Sequence, residues 1–309
     1  MNRPLCLIVN PAAGNGRARS HLPHARAVLE GSGADHRVVE SASLAHAKDL
    51  ATTAADRGDI VVAVGGDGMA GALAGVAAGA GAPYGLIPAG RGNDLAGVLG
   101  IPADPAAAAR TLVSGQLRQV DLIGVSAPGH AEQVVAGSVY AGLPALAGEV
   151  ANATRLLPGS MVYPVAALRV LARWRPARFT IQISRPESGA AETREFDGYA
   201  VVIANSPRFG AGMQIAPPAL VDDGLLDLVL LRHASKVTFV RALLMVKDGR
   251  HVELPSVTLD RGAQVHMTMS RDLPAAADGE PLPCASPLPA GTALRIRALP
   301  AALNVLVPG

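Results

Sequence analysis

The sequence predicts a two-domain α/β protein, with an N-terminal domain built on a parallel sheet and a C-terminal β-sandwich. The chain has 309 residues, half of them hydrophobic, which is enough for two ordinary cores. In the first part, short β-branched runs alternate with helical stretches, as in a parallel sheet with crossover helices. In the second part, strand-like runs outnumber helices, which favours a sandwich. We therefore predict domains at 1–120 and 121–295.

Composition argues against several classes of protein. The formal net charge is +2 and aromatic residues make up 3% of the chain, whereas a general nucleic-acid binder shows a basic stripe with interleaved aromatics. Cys6 and Cys284 lie far apart, so we expect reduced thiols of a cytosolic protein. The uncharged span from Gly68 to Gly90 could cross a bilayer by length, but it is mostly Gly and Ala and contains Pro83 and Pro88. We predict no transmembrane helix.

The first predicted strand, Leu5 to Val9, is too short for the apolar core of a signal peptide. It runs into a glycine-bearing loop, Asn10 to Arg17, ahead of a helix from Arg19 to Glu30. The loop matches neither the Walker loop nor the dinucleotide-binding fingerprint. A second strand at Arg37 to Val39 and a helix at Leu44 to Arg57 follow, which continues the alternation expected of a parallel sheet.

The stretch from Asp59 to Met69 carries the strongest chemical signal. A β-branched run ends abruptly in a Gly-Gly-Asp-Gly tetrad, and small residues typical of a helix follow. Glycines let a phosphate approach the backbone, and a helix N-terminus adds positive potential, so this loop suits phosphate binding. Asp67 is the functional candidate of the tetrad, with a metal or hydrogen-bonding role. The alternative is a tight turn with a helix-capping aspartate.

A further strand and a third glycine-bearing loop run from Tyr84 to Asp94, where an apolar run again ends in glycines and polar residues. Short helices at Leu95 to Leu99 and Pro105 to Ser114 come next. The carboxyl ends of parallel strands meet at one edge of a sheet. We therefore expect the glycine loops to lie side by side, facing one ligand.

The second half contains a series of strand-like runs separated by Gly, Pro or Asp turns. They are Phe179 to Ile183, Ala200 to Ala204, Leu225 to Leu231, Val257 to Leu259, Gln264 to Met269 and Ala293 to Ala298. The clearest helix of this half runs from Tyr163 to Arg175. Its Arg169, Arg173 and Trp174 suit an anionic membrane surface. The alternative is a solvated basic face with Trp174 packed on the sandwich.

One acidic cluster has ligand-like spacing. Asp222 and Asp223 precede Asp227 by a few residues, a pattern that a hard cation such as Mg²⁺ could use. A turn between strands explains the same residues equally well.

Together these segments resemble the diacylglycerol kinase catalytic family of lipid kinases, which includes bacterial diacylglycerol and sphingosine-type kinases. The resemblance covers nearly the whole chain, and seven short motifs stand in the family's order and spacing. They are Asn10-Pro11 with Gly14, GGDG at 65–68, PAGRGND at 88–94, PGSMVY at 158–163, GAGMQIAP at 210–217, DDGLLD at 222–227 and DGE at 278–280.

The resemblance implies an NAD kinase/diacylglycerol kinase-like fold, with an ATP-binding α/β domain, a lipid-substrate β-sandwich and a C-terminal tail, about 296–309, that can return to the first domain. It places Glu280 as the candidate general base, Asp121 as its supporter, and Asp222 and Asp223 at a separate structural Mg²⁺. Asp67 and Asp94 would also belong to the Mg²⁺ site beside ATP. The implied nucleotide-binding positions are Asn10, Gly65, Gly66, Asp67, Gly68, Gly90, Arg91, Asn93 and Asp94.

The chain departs from the family pattern beside the nucleotide loops. The family usually has threonine after GGDG, then asparagine and glutamate, where this chain has Met69, Gly71 and Ala72. Arg91 stands where threonine is usual. The lost hydroxyl and carboxylate remove polar contacts, while Arg91 adds a cation that can grip phosphate. We hypothesise that Arg91 compensates and that the enzyme is active.

The sequence therefore predicts an ATP- and Mg²⁺-dependent lipid kinase that phosphorylates a hydroxyl of a lipid such as diacylglycerol. We expect the protein in the cytoplasm, peripherally associated with the membrane and without a nucleic-acid partner. The sequence leaves open whether it forms a homodimer. One alternative is a catalytically silent nucleotide- or lipid-binding regulator, which Met69 and Ala72 would suit and which Asp67 and Glu280 argue against. Another is an NAD kinase relative, which shares GGDG; the segments 222–227 and 278–280 favour the lipid branch.

Overall fold

Strands and helices alternate through the first part of the computed structural model. It describes residues 3–153, 159–187, 190–210, 212–282, 284 and 286–309, with the helical backbone but not the side chains of 151–153 and 159–164. The elements of this part are β1 (Leu5–Val9), α1 (Arg17–Gly31), β2 (His36–Glu40), α2 (Leu44–Asp56), β3 (Ile60–Gly65), α3 (Asp67–Gly79), β4 (Tyr84–Pro88), α4 (Asp94–Val98) and α5 (Pro105–Ser114).

The strands of this part form a parallel sheet in the order β2, β1, β3, β4. Every residue of β1, β3 and β4 is buried, because helices cover both faces of such a sheet. The helices approach closely through small side chains. In α2, for example, Ala47, Ala51 and Ala54 form the buried stripe, spaced one helical turn apart. The parallel α/β fold predicted from the alternation is confirmed.

The rest of the chain is dominated by antiparallel strands. Its elements are β5 (Gln116–Ser126), β6 (Gln133–Val135), β7 (Ser138–Gly142), α6 (Leu143–Ala153), α7 (Gly159–Arg173), β8 (Ala177–Ser184), β9 (Glu192–Ala204), β10 (Arg208–Phe209), β11 (Met213–Gln214), β12 (Leu226–Arg232), α8 (Lys236–Met245), β13 (Val257–Gly262), β14 (Gln264–Met269), β15 (Ala275–Ala277), β16 (Glu280–Pro281) and β17 (Leu294–Val307).

A second core lies between these strands. In β8, Ala177, Phe179, Ile181 and Ile183 are buried and alternate with more exposed residues, the pattern of an antiparallel strand with one face on the core. β8 lies between β9 and β14, and β9 also pairs with β7 and β12. The predicted C-terminal sandwich is confirmed.

Strand β17 joins the two parts of the sheet. It pairs with β14 and β5 in antiparallel fashion, and its Val305 lies beside Tyr84 of the parallel strand β4. The boundary predicted between residues 120 and 121 falls within β5, which is one continuous strand. The exact division into domains stays a prediction.

The helix predicted at Tyr163 to Arg175 is α7, which spans Gly159–Arg173. Trp174 follows its last residue and is only 7% exposed, with the Arg271 guanidinium 4.7 Å from the ring centroid. Trp174 therefore packs on the sandwich, and the interpretation that placed it on a membrane surface is wrong for this residue. Within the described ranges, no helix is both long and apolar enough to span a bilayer.

Both cysteines are free thiols. Cys6 is buried in β1 and Cys284 is half-buried, as expected for a chain without a disulfide framework.

A buried histidine makes the sandwich sensitive to acid. His251 is 1% exposed, and its Nε2 lies 3.0 Å from the Ile215 carbonyl oxygen. Burial lowers the pKa of His251, against opposing effects of that carbonyl and of Asp248. The unfolded chain therefore binds the proton more readily, so stability is full above pH 6.5, the ordinary histidine value, and is lost as the pH falls below it.

We expect the free energy of unfolding to drop by about 1 kcal/mol between about pH 7.5 and pH 5.5 through this residue. Urea denaturation followed by the fluorescence of Trp174, the single tryptophan of the chain, measures it. The His251→Gln variant keeps a donor for Ile215 but does not titrate, so it should lose this part of the pH dependence. An equal drop in both proteins would contradict the assignment.

Candidate active site

Three loops meet at the carboxyl ends of β1, β3 and β4. A Cβ built on Gly14 would collide with the carbonyl oxygen of Ala89, and one built on Gly66 would lie 3.0 Å from the Gly90 Cα. Gly14 also has a φ of +60°, which favours glycine. Close approach of the three backbones is therefore the reason that the sequence needs glycines here. The structure brings the loops together at one edge, as their order along a parallel sheet predicts.

Asp67 cross-links two of these loops. Its carboxylate accepts hydrogen bonds from the backbone N–H of Asn93 at 2.8 Å and of Asp94 at 2.6 Å. Asn93 in turn accepts from the Gly90 N–H through its Oδ1 at 2.8 Å. Asp67, the first residue of α3, thus holds the loop after β4 in place. This role is additional to any contact with a ligand.

A cavity of about 480 Å³ opens beside these loops. Its volume lies in the range of small-molecule sites. The N-terminus of α3 lies in its wall, so backbone N–H groups and helix-dipole potential are available to an anion. The lining residues are Asn10, Ala13, Gly14, Ser41, Ala42, Ser43, Leu44, Ala47, Gly66, Asp67, Gly68, Met69, Gly90, Arg91 and Glu280.

Seven of the sequence-predicted site residues line this cavity. They are Asn10, Gly66, Asp67, Gly68, Gly90, Arg91 and Glu280. Gly65, Asn93 and Asp94 lie in the same loops behind the wall, where Asp94 accepts a hydrogen bond from the Gly212 N–H at 2.7 Å. Gly212 belongs to the connection between β10 and β11, so Asp94 joins the third loop to the second part of the chain.

Glu280 reaches the cavity from a tight hairpin between β15 and β16. Ala277 pairs with Glu280, and both intervening residues have positive φ, +46° at Asp278 and +88° at Gly279. Positive φ at both central positions is the requirement of a type I′ turn, for which Asp-Gly is a preferred pair. A Cβ on Gly68 would lie 3.6 Å from the Glu280 Oε1. The turn therefore aims the glutamate at the second glycine loop.

Asp278 anchors this hairpin. Its carboxylate accepts hydrogen bonds from the backbone N–H of Ala136 at 2.7 Å, Gly137 at 2.9 Å and Ser138 at 2.8 Å. Burial raises the pKa of Asp278, the three backbone N–H groups oppose that rise, and the nearby charge of Asp67 adds to it. A Cβ built on Gly71 would lie 2.8 Å from the Asp278 Oδ2, so the hairpin carboxylate lies close to the first turns of α3.

The departures from the family pattern have a steric logic. Met69 is buried, and a Cβ on Gly65 would lie 2.9 Å from its sulfur, so the thioether fills the space under the second loop. A Cβ on Gly71 would lie 2.8 Å from the Asp278 Oδ2. The missing side chain at Gly71 therefore leaves room for the anchoring carboxylate. Ala72 packs partly buried against the first core.

The sequence-based interpretation missed two parts of the site. Ser41 and Ser43 line the cavity from the loop between β2 and α2. Their position could have been inferred, because Glu40 lies beside Val9 in the parallel register and this loop must emerge at the same edge. The anchoring role of Asp278 gave no such signal, since its partners are backbone groups of residues 136–138.

Asp121 lies in a different set of contacts from Glu280. Its two carboxylate oxygens accept the backbone N–H of Gly224 at 2.6 Å and of Ala301 at 2.7 Å. Asp121 thus joins β5 to the turn before β12 and to β17. Its predicted support of Glu280 stays a prediction, and no contact between the two carries it within the described residues.

The acidic cluster after residue 220 is paired with arginines. Asp222 accepts from Arg118 at 2.5 Å, while Asp223 and Asp227 both pair with Arg261. Among the described residues, no group of three or more His, Cys, Asp or Glu side chains could hold a metal ion. This arrangement does not fit a cation, because the guanidinium groups would repel it. The metal-binding prediction for Asp222 and Asp223 stays a prediction that requires both arginines to move.

Most of the motif at 158–163 forms the start of α7, where the structure describes the helical backbone of residues 159–163. Pro158 and the side chains of the other five residues lie outside the described part. Ala211, within the motif 210–217, also lies outside it.

Two family models match consecutive parts of the chain. Residues 4–125 match the diacylglycerol kinase catalytic domain, and residues 137–307 match the YegS C-terminal NAD kinase beta sandwich-like domain. A diacylglycerol kinase of Mycobacterium tuberculosis is 33% identical over 303 residues, 97% of this chain and 94% of the relative. A probable lipid kinase YegS-like of Stenotrophomonas maltophilia is 30% identical over 288 residues, 89% of each chain.

Solved structures agree with this fold. A putative diacylglycerol kinase from Bacillus anthracis superposes with a TM-score of 0.76 at 20% identity, covering 99% of this chain and 95% of the other. The yeast NADH kinase has a TM-score of 0.52 at 9% identity, covering 99% of this chain and 83% of the other. The fold is thus shared with NAD kinases, while the sequence matches are to the lipid branch. The chain is therefore a kinase that belongs to the diacylglycerol kinase catalytic-domain family.

Proposed function

We propose that the protein transfers the γ-phosphate of ATP to a hydroxyl of a lipid such as diacylglycerol, in a Mg²⁺-dependent reaction at a membrane surface. The observation that carries the proposal is the position of Glu280, whose carboxylate lies beside the Gly68 backbone in the wall of a cavity that a helix N-terminus and glycine loops also line. A phosphate site and a carboxylate base then share one space. The names of the relatives support a lipid as the acceptor.

The chemistry asks the protein for positioning and for compensation of phosphate charge. The backbone N–H groups at the start of α3 would hold the phosphates, and Glu280 would take the proton of the attacking hydroxyl. The donor set suits Mg²⁺, which binds one or two carboxylates together with substrate phosphates. Asp67, with Asp94 behind it, would hold this ion, which when bound balances the charge that develops on the phosphoryl group.

The test is transfer of labelled γ-phosphate from ATP to a panel of lipids in detergent micelles, with diacylglycerol, a sphingoid base and ceramide as acceptors. The assay compares the wild type with Asp67→Ala and Glu280→Ala. We expect a labelled lipid with the wild type and its loss with both variants. If folded wild-type protein binds ATP but labels no lipid, the function is that of a silent regulator. A parallel reaction offers NAD as the acceptor, and labelled NAD would instead identify an NAD kinase.

Arg91 should hold the nucleotide. It is exposed at the rim of the cavity, so its guanidinium can reach a phosphate without displacing packed groups. A charge-assisted hydrogen bond contributes about 1.5–3 kcal/mol, and its loss in Arg91→Ala should weaken ATP binding by about tenfold or more.

Calorimetric titration with ATP measures this effect. Arg91→Lys keeps the charge but not the planar guanidinium group. Its ATP affinity should therefore lie between those of the wild type and Arg91→Ala. Arg110→Ala, at an exposed position on α5, is the control for loss of a surface cation. Unchanged affinity in Arg91→Ala would rule out the compensation hypothesis.

A further inference from the structure

The outer side of α8 places large aliphatic side chains in solvent. Val237 is 80% exposed and Leu244 is 76% exposed, whereas the other exposed large hydrophobic residues of the described chain range from 39% to 55%. Val237, Arg241 and Leu244 follow helical spacing and share one stripe, opposite the buried Phe239 and Ala242. The helix is therefore apolar on two sides, and packing among the described residues accounts for only one of them.

This stripe continues onto α7. The Lys236 Nζ donates a hydrogen bond to the Ala172 carbonyl oxygen at 2.7 Å, so the start of α8 adjoins the end of α7. On α7, Leu168 is 44% exposed, and Arg169 and Arg173 are exposed beside it. We call this surface the α7–α8 face. It comprises Leu168, Arg169, Arg173, Lys236, Val237, Arg241 and Leu244.

The charge of the α7–α8 face has one sign. Every charged side chain of α7 and of α8 is Lys or Arg. Asp197, whose carbonyl accepts the His233 N–H just before α8, is itself paired with Arg178. The face therefore presents aliphatic groups among cations that acidic neighbours on these helices do not neutralise.

We propose that the α7–α8 face docks the protein on an anionic lipid surface. Exposed aliphatic side chains flanked by Lys and Arg are the features with which amphipathic helices bind the headgroup region of a bilayer. Each cation near an anionic surface contributes about 1 kcal/mol to the binding free energy. The aliphatic side chains contribute further by entering the headgroup region. This inference rests on the proposed function, because a kinase that acts on a membrane lipid has to meet the bilayer.

Charge favours a lipid surface over a second copy of the chain. In a two-fold symmetric dimer the same patch meets itself. The arginines of one copy would then face those of the other, which costs energy. An anionic bilayer complements the same cations.

The test is co-sedimentation with vesicles of phosphatidylcholine, with and without phosphatidylglycerol, in the absence of ATP. We expect the wild type to prefer the anionic vesicles and Val237→Ser with Leu244→Ser to bind them about tenfold more weakly. Arg241→Gln should weaken binding to anionic vesicles about fivefold, since one cation is lost. The control is Val113→Ser with Leu259→Ser, two aliphatic side chains of 41% and 39% exposure outside this face.

Phosphorylation of a short-chain diacylglycerol dispersed in detergent and the melting temperature should be unchanged in the α8 double variant. If the α8 double variant bound anionic vesicles as tightly as the wild type, the proposal would be overturned. A wild-type dimer that the double variant converts to a monomer would also overturn it, as would absence of wild-type binding to anionic vesicles. If no diacylglycerol is phosphorylated while vesicle binding depends on Val237 and Leu244, the proposed function fails and the docking face stands.

Discussion

Asp278→Gly is expected to lower the free energy of unfolding by about 3–5 kcal/mol, because it removes the acceptor of three backbone N–H groups. These groups belong to Ala136, Gly137 and Ser138 at the start of β7. Glycine is the informative substitution, since it accepts the φ of +46° at this position without strain. Kinase activity should fall with stability, because the hairpin that aims Glu280 loses its anchor. Thermal unfolding and turnover measure the two effects.

The matched control is Asp278→Asn. Asparagine tolerates positive φ and keeps one acceptor oxygen, so it should retain a substantial part of the stability. This comparison separates loss of the carboxylate from a change in the turn. A glycine variant as stable as the wild type would show that the three hydrogen bonds contribute nothing net and that burial of the carboxylate cancels them.

Glu280→Gln is expected to lower turnover by about 10²–10⁴-fold, the range for loss of a general base. The amide has nearly the size of the carboxylate but does not take a proton at neutral pH. Glu280 is exposed at the end of a hairpin, so the melting temperature should not change. ATP binding should also stay near the wild-type value, because the helix N-terminus and glycine loops are intact.

Steady-state kinetics with saturating ATP and diacylglycerol measure this loss, and calorimetry checks ATP binding. The control is Glu253→Gln, another exposed glutamate, which pairs only weakly with Arg250 at 3.6 Å and does not line the cavity. If Glu280→Gln retained more than about a tenth of wild-type turnover, the general base would have to be a different group.

The glycine loops were predictable because their signal is local. In each case an apolar run ends, glycine follows within a few residues and a helix begins, and the order of parallel strands then places the loops at one edge. Gly66 and Gly90 needed no knowledge of distant residues to be recognised as positions of close approach. The hairpin at Asp278-Gly279 was predictable for the same reason, as a two-residue turn with its own sequence preference.

Other features depend on contacts that no local pattern records. Asp278 and Asp121 look alike in sequence, yet each binds backbone N–H groups far along the chain. Helix α8 was missed because Val237 and Leu244 obscure the amphipathic period by which a helix is recognised. Only the first part of β17 was predicted, because Pro300 signals an end to the strand. The structure instead shifts register between Leu299 and Leu303, with Ala301 at a φ of +50° and its N–H bound to Asp121.

The position of β17 has a consequence for how the chain folds during synthesis. Strand β4 leaves the ribosome early, but its neighbour on the far side, residues 294–307, is made only after the other strands of the sandwich. Until then the parallel sheet of the first part has an open edge, which is a template for pairing with other chains. The part that carries the glycine loops therefore lacks this edge contact until β17 has been made. Completion of the parallel sheet is therefore coupled to completion of the sandwich, because both need β17.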